Sequence, residues 1–305
     1  MAAFGLIGLC LGLGALLRST RRLPQGTPAV LNAFIFHAAL PAATLASLPA
    51  LKPRAELLLP AAMAWIVYFG GMLYVRVAGR LAGWDRATRG ALTLTAGLGN
   101  TSFVGFPLLQ ALLGVQALSV GIINDQPGTF LAFSTVGILT ASACSGKASH
   151  GFDLKRLLGF PPFVVMLITL ALATAGFSLP SALREICERL GATLIPLALV
   201  SVGFQLRFRL EDLRQYGGRL FAGLFYKLAL APALILLLYA GIGGWRGEAV
   251  RITVLEAAMA PMVTAAVLAD ESGLEPELAN LMLAVGIPLS LLTVPLWFRL
   301  TAFLG

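Results

Sequence analysis

Residues 97–107 read GLGNTSFVGFP, and they interrupt an otherwise apolar segment with glycines, polar residues and a proline. Residues 256–266 read EAAMAPMVTAA and interrupt a second apolar segment at the matching place in the other half of the chain. Trp84 and Trp245, which each follow a glycine ahead of a break, lie 161 residues apart, and the same offset places Asn100 on Pro261. Paired broken segments of this kind are typical of secondary transporters whose binding site lies at the breaks.

The composition indicates a membrane protein built from helices. The chain has 305 residues, of which 58% are hydrophobic and only 12% charged, and its mean hydropathy is +0.87. Soluble domains carry about twice that share of charge. The net charge of +8 sits on short loops between apolar segments, where it sets topology. We therefore predict an all-α polytopic protein whose partner is the lipid bilayer and not a nucleic acid.

Ten apolar segments can be read along the chain. They lie at about 3–17, 27–49, 55–77, 88–113, 115–143, 160–177, 190–206, 217–241, 248–270 and 278–303. The longest loop divides them into two groups of five, residues 1–145 and 160–305, joined by residues 146–159. An odd number of spans in each half predicts two inverted repeats.

The basic residues predict the orientation in the membrane. Fourteen of the 22 Lys and Arg residues lie in loops after odd-numbered segments, seven lie on the other side, and Lys227 falls inside segment 8. Cytoplasmic loops are enriched in Lys and Arg. This asymmetry predicts that both termini are outside and that the loop between the halves is cytoplasmic.

The first break offers groups that could bind a solute. Asn100, Thr101 and Ser102 can form hydrogen bonds with a ligand, while Gly105 and Pro107 favour unwinding of the helix. An unwound backbone at the middle of a membrane must be satisfied by protein, water or solute. The alternative is a glycine-rich helix packed closely on its neighbours.

The second break contains a carboxylate. Glu256 precedes the stretch formed by Ala260, Pro261 and Met262. Met262 and Thr264 are candidates for the lining of a cavity at the breaks. An acidic residue in an apolar span is costly and is a functional candidate. Glu256 could bind a cation, carry a proton or neutralise a basic neighbour. A purely structural pair with Lys227 or Arg251 is the alternative.

Two further segments carry polar residues. Segment 5 contains Asn124, Asp125 and Gln126, followed by Pro127 and Gly128, where we expect a kink. Asp125 could couple ions or hold segment 5 against segment 4. His37 in segment 2 fits packing or a hydrogen bond between helices better than a proton relay.

Other chemistries lack the residues they need. The sequence has no phosphate-binding glycine loop, its two histidines lie far apart, and its three cysteines show no metal-ligand spacing. No nucleophile and base suggest catalysis. We therefore expect neither an enzyme nor a resident cofactor or metal, with coupling to H⁺ or Na⁺ left open.

Four motifs in order resemble the auxin efflux carrier family, which includes the plant PIN proteins and many bacterial permeases. They are LNAFIFHAALPA at 31–42, GNTSFVGFPLLQALLG at 99–114, NDQPGTFLAFSTVG at 124–137 and LEAAMAPMVTAAVLADESGLEPELA at 255–279. The resemblance covers essentially the whole chain.

The resemblance implies ten transmembrane helices in two inverted five-helix repeats, with the broken segments 4 and 9 crossing at their unwound centres, as in the bile-acid symporters and the NhaA antiporter. It also implies a scaffold of segments 1, 2, 6 and 7, a mobile transport domain of segments 3–5 and 8–10, and a homodimer in a bacterial cytoplasmic membrane. The family moves organic anions such as carboxylates, with an elevator-type motion. Alternatives are a sodium-coupled bile-acid-type symporter and a membrane ligand sensor that moves nothing.

Overall fold

A computed structural model describes residues 2–47, 57–146 and 158–304. These residues form helices joined by short turns, with no strand among them beyond one isolated bridge. Within these described ranges, six helices are long and apolar enough to cross a membrane. The expectation of an all-α membrane protein is therefore confirmed, whereas the number of ten spans and the inverted repeats stay predictions.

We number the helices in chain order. They are α1 Ala2–Ser19, α2 Thr27–Ser47, α3 Leu58–Leu81, α4 Arg86–Gly97, α5 Thr101–Leu113, α6 Ala117–Ser145, α7 Pro161–Thr174, α8 Ser181–Gly191, α9 Leu194–Gln205, α10 Leu210–Ile242, α11 Glu248–Ala257, α12 Val263–Glu271 and α13 Pro276–Leu300. A 3₁₀ turn, Ala302–Leu304, follows α13. At Pro127, where the sequence predicts a kink, α6 contains a π-helical turn, Asn124–Phe130. Most of the predicted loop between the halves lies outside the described residues.

Packing divides the chain into two compact units. The first takes in the described residues of Met1–Leu57, Ser102–Ile122 and Leu154–Leu206. The second takes in those of Leu58–Thr101, Ile123–Asp153 and Arg207–Gly305. The boundaries at Thr101 and Ile123 fall inside predicted segments 4 and 5. The assignment of whole segments to a scaffold and a transport domain stays a prediction.

The first unit is built on very close contact between α1 and α9. A Cβ added to Gly14 would lie 2.2 Å from the carbonyl oxygen of Val200, and one added to Gly203 would lie 2.1 Å from that of Leu11. Small residues let membrane helices approach one another this closely. Asn32 of α2 also accepts a hydrogen bond from Ser201 of α9, with 2.7 Å between the oxygens.

The second unit has an aromatic core around α3, α10 and α13. The Tyr226 hydroxyl donates to the carbonyl oxygen of Val67 at 2.6 Å, and Tyr239 donates to that of Leu59 at 2.7 Å. The indole of Trp297 donates to the carbonyl oxygen of Leu228 at 2.9 Å. These large side chains bury apolar area while their polar ends remain satisfied.

Replacing Gly203 with Ala should strongly destabilise the protein, because the new methyl group would meet the α1 backbone, which cannot move without unpacking the first unit. We expect a loss of about 1–3 kcal/mol, seen as a lower thermal midpoint in detergent. Gly12→Ala is the matched control, since nothing lies within 4 Å of its added Cβ. Equal midpoints for the two variants would contradict this packing.

Replacing Asp85 tests the start of α4. Its Oδ1 accepts a hydrogen bond from the Thr88 amide at 2.7 Å, and this bond, aided by Arg219 and Arg89, holds the pKa of the carboxyl below its usual value. Asp85→Ala should cost about 1 kcal/mol. Because the pKa is lowered on folding, the charge stabilises the fold above the unfolded value of about 3.9. That stabilisation is lost as the pH falls through the folded value, so Asp85→Asn should approach wild type at acid pH in thermal unfolding.

Candidate functional site

The two predicted breaks pair with each other in the second unit. The chain leaves the helical conformation after Gly97 and after Ala257, and Gly99 and Pro261 form an antiparallel bridge. The Asn100 amide donates to the carbonyl oxygen of Ala260 at 2.7 Å, and the Met262 amide donates to that of Leu98 at 3.0 Å. Each break therefore supplies hydrogen-bond partners that the other would lack in lipid.

The hydrogen-bond pattern explains why proline is tolerated there. The two bonds flank Gly99 and Pro261, so these residues form a non-hydrogen-bonded pair, in which neither amide points at the partner chain. Proline, which has no amide hydrogen, costs the bridge nothing at this position. The sequence offset aligned Asn100 with Pro261, whereas the bridge pairs Pro261 with Gly99, the residue before Asn100.

Polar side chains of the first break are buried at this bridge. Asn100 and Thr101 are 4% and 2% exposed. The Thr101 hydroxyl donates to Oδ1 of Asp125, with 2.6 Å between the oxygens. Asp125 thus joins the π-helical turn of α6 to the end of the first break. This is the contact expected if Asp125 holds segment 5 against segment 4. The neighbouring Asn124 and Gln126 are fully buried.

Lys227 brings a positive charge to the breaks. It lies in a π-helical turn of α10, is 1% exposed, and its Nζ donates to the carbonyl oxygen of Ala257 at 3.0 Å. A Cβ added to Gly99 would lie 3.0 Å from this Nζ. The ammonium group therefore sits where α11 ends and next to the first break, and the partial negative charge of a helix C-terminus favours it there.

Glu256 lies in the last turn of α11 and is fully buried. Neither carboxylate oxygen has a hydrogen-bond partner among the described residues. Lys227 and Asp125 both act on it electrostatically, but no ion pair within 4 Å joins it to a described residue. Arg251, the other suggested partner, donates to the carbonyl oxygen of Phe298 at 2.9 Å and stacks on that ring instead.

The remaining candidates of the second break surround the start of α12. Ala260 and Pro261 are buried, while Met262 and Thr264 are partly exposed. Met262 precedes the helix in an extended conformation. The Thr264 hydroxyl is shielded from solvent and has no partner among the described residues. No group of three or more His, Cys, Asp or Glu side chains placed to hold a metal ion occurs in the described ranges.

Four predicted residues belong to the first unit. Ser102, Gly105 and Pro107 follow the break in α5, and His37 is exposed in α2, where its Nδ1 lies 2.9 Å from the carbonyl oxygen of Ala33. The contact of His37 is within its own helix, so the structure shows local bonding and not the hydrogen bond between helices considered from the sequence.

Sequence reasoning missed Gly286 of α13. A Cβ added there would lie 2.7 Å from Cδ of Pro261 and 2.8 Å from Cδ2 of Leu224. The glycine thus lets α13 pack directly on the ring at the centre of the second break. The sequence shows Gly286 only as a glycine in a long apolar segment. Because the chain has 33 glycines, nothing distinguished this one.

Gly286→Ala should displace Pro261 and disturb the paired breaks. Because a proline ring cannot rotate away, we expect a loss of about 1–3 kcal/mol in stability. Thermal unfolding in detergent measures it, and Gly217→Ala is the control, since nothing lies within 4 Å of its added Cβ. A Gly286→Ala variant as stable as this control would refute the contact.

Comparison with known proteins places these features in a family. The model of a family described as membrane transport protein matches residues 6–298. An uncharacterized transporter of Methanothermobacter thermautotrophicus is 30% identical over 294 residues, covering 93% of each chain. An uncharacterized transporter of Methanocaldococcus jannaschii is 24% identical over 278 residues, covering 88% of each chain.

Proposed function

Because the chain belongs to the membrane transport protein family, the family of the auxin efflux carriers, we propose that it is a secondary transporter of small organic anions such as carboxylates. The family membership confirms the resemblance seen in the four sequence motifs, and a transport function follows from it. The anionic substrate and the elevator-type motion are our proposals. The observation that carries them is the pairing of the two breaks through Gly99 and Pro261.

The paired breaks favour a solute site for a physical reason. A continuous helix satisfies its own backbone, whereas a helix that begins at a break presents free amide groups and a partial positive charge. Helix α12 begins in this way at Val263, directly after the bridge. An anion is the solute that such a helix start favours. We place the substrate near Asn100, Thr101, Pro261 and Thr264.

Thr264 is the most informative of these residues. Its hydroxyl lies in the first turn of α12, shielded from solvent and without a protein partner among the described residues. A shielded hydroxyl without a partner is costly, and a bound carboxylate would supply the missing acceptor. Ser102, Gly105 and Pro107 follow the break in the chain, and their part in binding is a prediction from the sequence.

Transport should be measured with the full chain in proteoliposomes, using labelled mono- and dicarboxylates. We expect uptake of at least one of these acids down its gradient. Binding without flux under any gradient would favour a ligand sensor, and flux that requires sodium would favour the bile-acid-type symporter. No uptake of any acid by verified, folded protein would contradict the proposal.

Thr264→Val should weaken substrate affinity about threefold to tenfold, the equivalent of one hydrogen bond of roughly 0.5–1.5 kcal/mol. The thermal midpoint without substrate should not fall, because the substitution removes a hydroxyl that has no protein partner. Asn100→Ala should weaken affinity further, by about 1–3 kcal/mol, if it leaves a buried substrate group unpaired.

The matched control is Thr293→Val in α13. Its hydroxyl is also shielded and without a partner in the described part of the chain, but we assign it no role in binding. Affinity is read from the concentration dependence of uptake. Equal effects of the two valine substitutions, or normal transport by Asn100→Ala, would show that the substrate binds elsewhere.

A further inference from the structure

The ammonium group of Lys227 occupies a position where a free cation would be expected. In transporters with broken helices, coupling ions are held by the carbonyls and C-terminal ends of the half-helices at the break. Here α11 ends at Ala257, whose carbonyl oxygen accepts a hydrogen bond from Lys227 at 3.0 Å. The break after α4 approaches the same ammonium group at Gly99, where a Cβ would lie 3.0 Å from Nζ.

Glycine at position 99 keeps this place open for the lysine. The same added Cβ would lie 3.5 Å from Cε of Lys227 and 3.6 Å from the carbonyl oxygen of Glu256. The side chain of Lys227 is therefore enclosed between the two breaks, and it satisfies a carbonyl group that a bound sodium ion would otherwise coordinate. A positive charge that is part of the chain stays at the site whether or not sodium is present.

Glu256 is in the opposite situation. It is fully buried at the C-terminal end of α11, where the helix dipole disfavours a negative charge, and both of its carboxylate oxygens lack partners among the described residues. An isolated carboxylate in such surroundings would be very costly. Protonation of one oxygen makes Glu256 neutral and removes that cost, and no protein group has to bind the carboxyl for this to happen.

The charges around Glu256 lead to the same conclusion. Asp125 of α6 and Lys227 of α10 act on it electrostatically, and Asp125 accepts a hydrogen bond from Thr101. Glu256 is thus influenced by one ammonium group and by one other carboxylate, and a proton on Glu256 leaves these three side chains with no net charge. Arg251 of the same helix is engaged with Phe298.

Several titratable side chains on the helices packed against α11, among them Tyr226 and Tyr239 of α10, are bound elsewhere or lie at helix ends. The Tyr68 hydroxyl of α3 donates to the carbonyl oxygen of Val136. On α13, Glu277 and Arg299 lie in the first and last turns.

We propose that Lys227 is a built-in cation and that Glu256 is the proton-binding group that couples transport to H⁺, without a requirement for sodium. This inference rests on the proposed function, because a proton site couples only if a solute moves. Glu256 takes one proton from water when the site opens to one side of the membrane. It returns that proton to water on the other side, and while it is buried its carboxyl group is protonated and neutral.

Labelling with dicyclohexylcarbodiimide tests the proton directly, since this reagent modifies protonated carboxyl groups in apolar surroundings. The full chain in lipid nanodiscs is treated at neutral and alkaline pH, with sodium chloride or choline chloride, and the labelled peptides are identified by mass spectrometry. We expect label on Glu256 at neutral pH, less label at alkaline pH, and no protection by sodium. Absence of label at Glu256, or its protection by sodium, would overturn the proposal.

Substitution of the lysine tests the built-in cation. Lys227→Met should lower the thermal midpoint, and the double variant Lys227→Met/Asp125→Asn should recover part of the loss, because a protonated Glu256 leaves Asp125 as the carboxylate whose charge the ammonium group offsets. Sodium should leave the midpoint of wild type unchanged when compared with choline at equal ionic strength. A sodium-stabilised wild type, or a double variant no more stable than Lys227→Met, would contradict the assignment. If Lys227→Met does not fold, the stability of the double variant and the labelling of the wild type still test the proposal.

These measurements separate the two proposals. Labelling and thermal stability need no substrate, so a label on Glu256 together with no uptake of any acid would refute the proposed function and not the proton site. Uptake of a carboxylate that continues unchanged in Glu256→Gln and does not respond to a pH gradient would refute the coupling role alone.

Discussion

Two backbone hydrogen bonds between the breaks, one from Asn100 to Ala260 and one from Met262 to Leu98, are the contacts on which the second unit depends. A helix interrupted inside a bilayer leaves amide and carbonyl groups that lipid cannot satisfy. A short antiparallel bridge between two interrupted helices satisfies the inner groups of both at once. The price is that each break needs the other, so neither interruption could persist in an isolated helix.

The bridge also brings charged groups together in a region that excludes water. The C-terminal end of α11 carries Glu256 in its last turn, and the ammonium group of Lys227 meets the same end at Ala257. Asp125 reaches the first break through Thr101. Electrostatic effects are large in such surroundings because the local dielectric constant is low. A change of a single charge or proton here would act on the very segments that pair at the breaks.

Glycines decide how closely the helices can approach one another. Gly14 and Gly203 bring α1 against α9 in the first unit, and Gly286 brings α13 against Pro261 in the second. The family resemblance implies a homodimer, and the glycines of α1 are residues that let membrane helices approach closely. Gly14 is used within the chain, whereas Gly5, Gly8 and Gly12 have nothing within 4 Å of an added Cβ. A homodimer through these three residues stays a prediction.

Composition and local pattern determined the membrane class, the positions of both breaks and most helix boundaries, because hydropathy, glycine and proline act through neighbouring residues. The same reasoning singled out Glu256, Asp125 and Lys227, since ionisable residues are rare in apolar segments, and the structure buries all three near the breaks.

The sequence left open which of these residues meet. It weighed Lys227 and Arg251 equally as partners of Glu256, and it gave no sign that Gly99 leaves room for the lysine or that Gly286 packs on Pro261. Only the tertiary structure decided these pairings, because they join residues far apart in the chain whose separation depends on how whole helices cross.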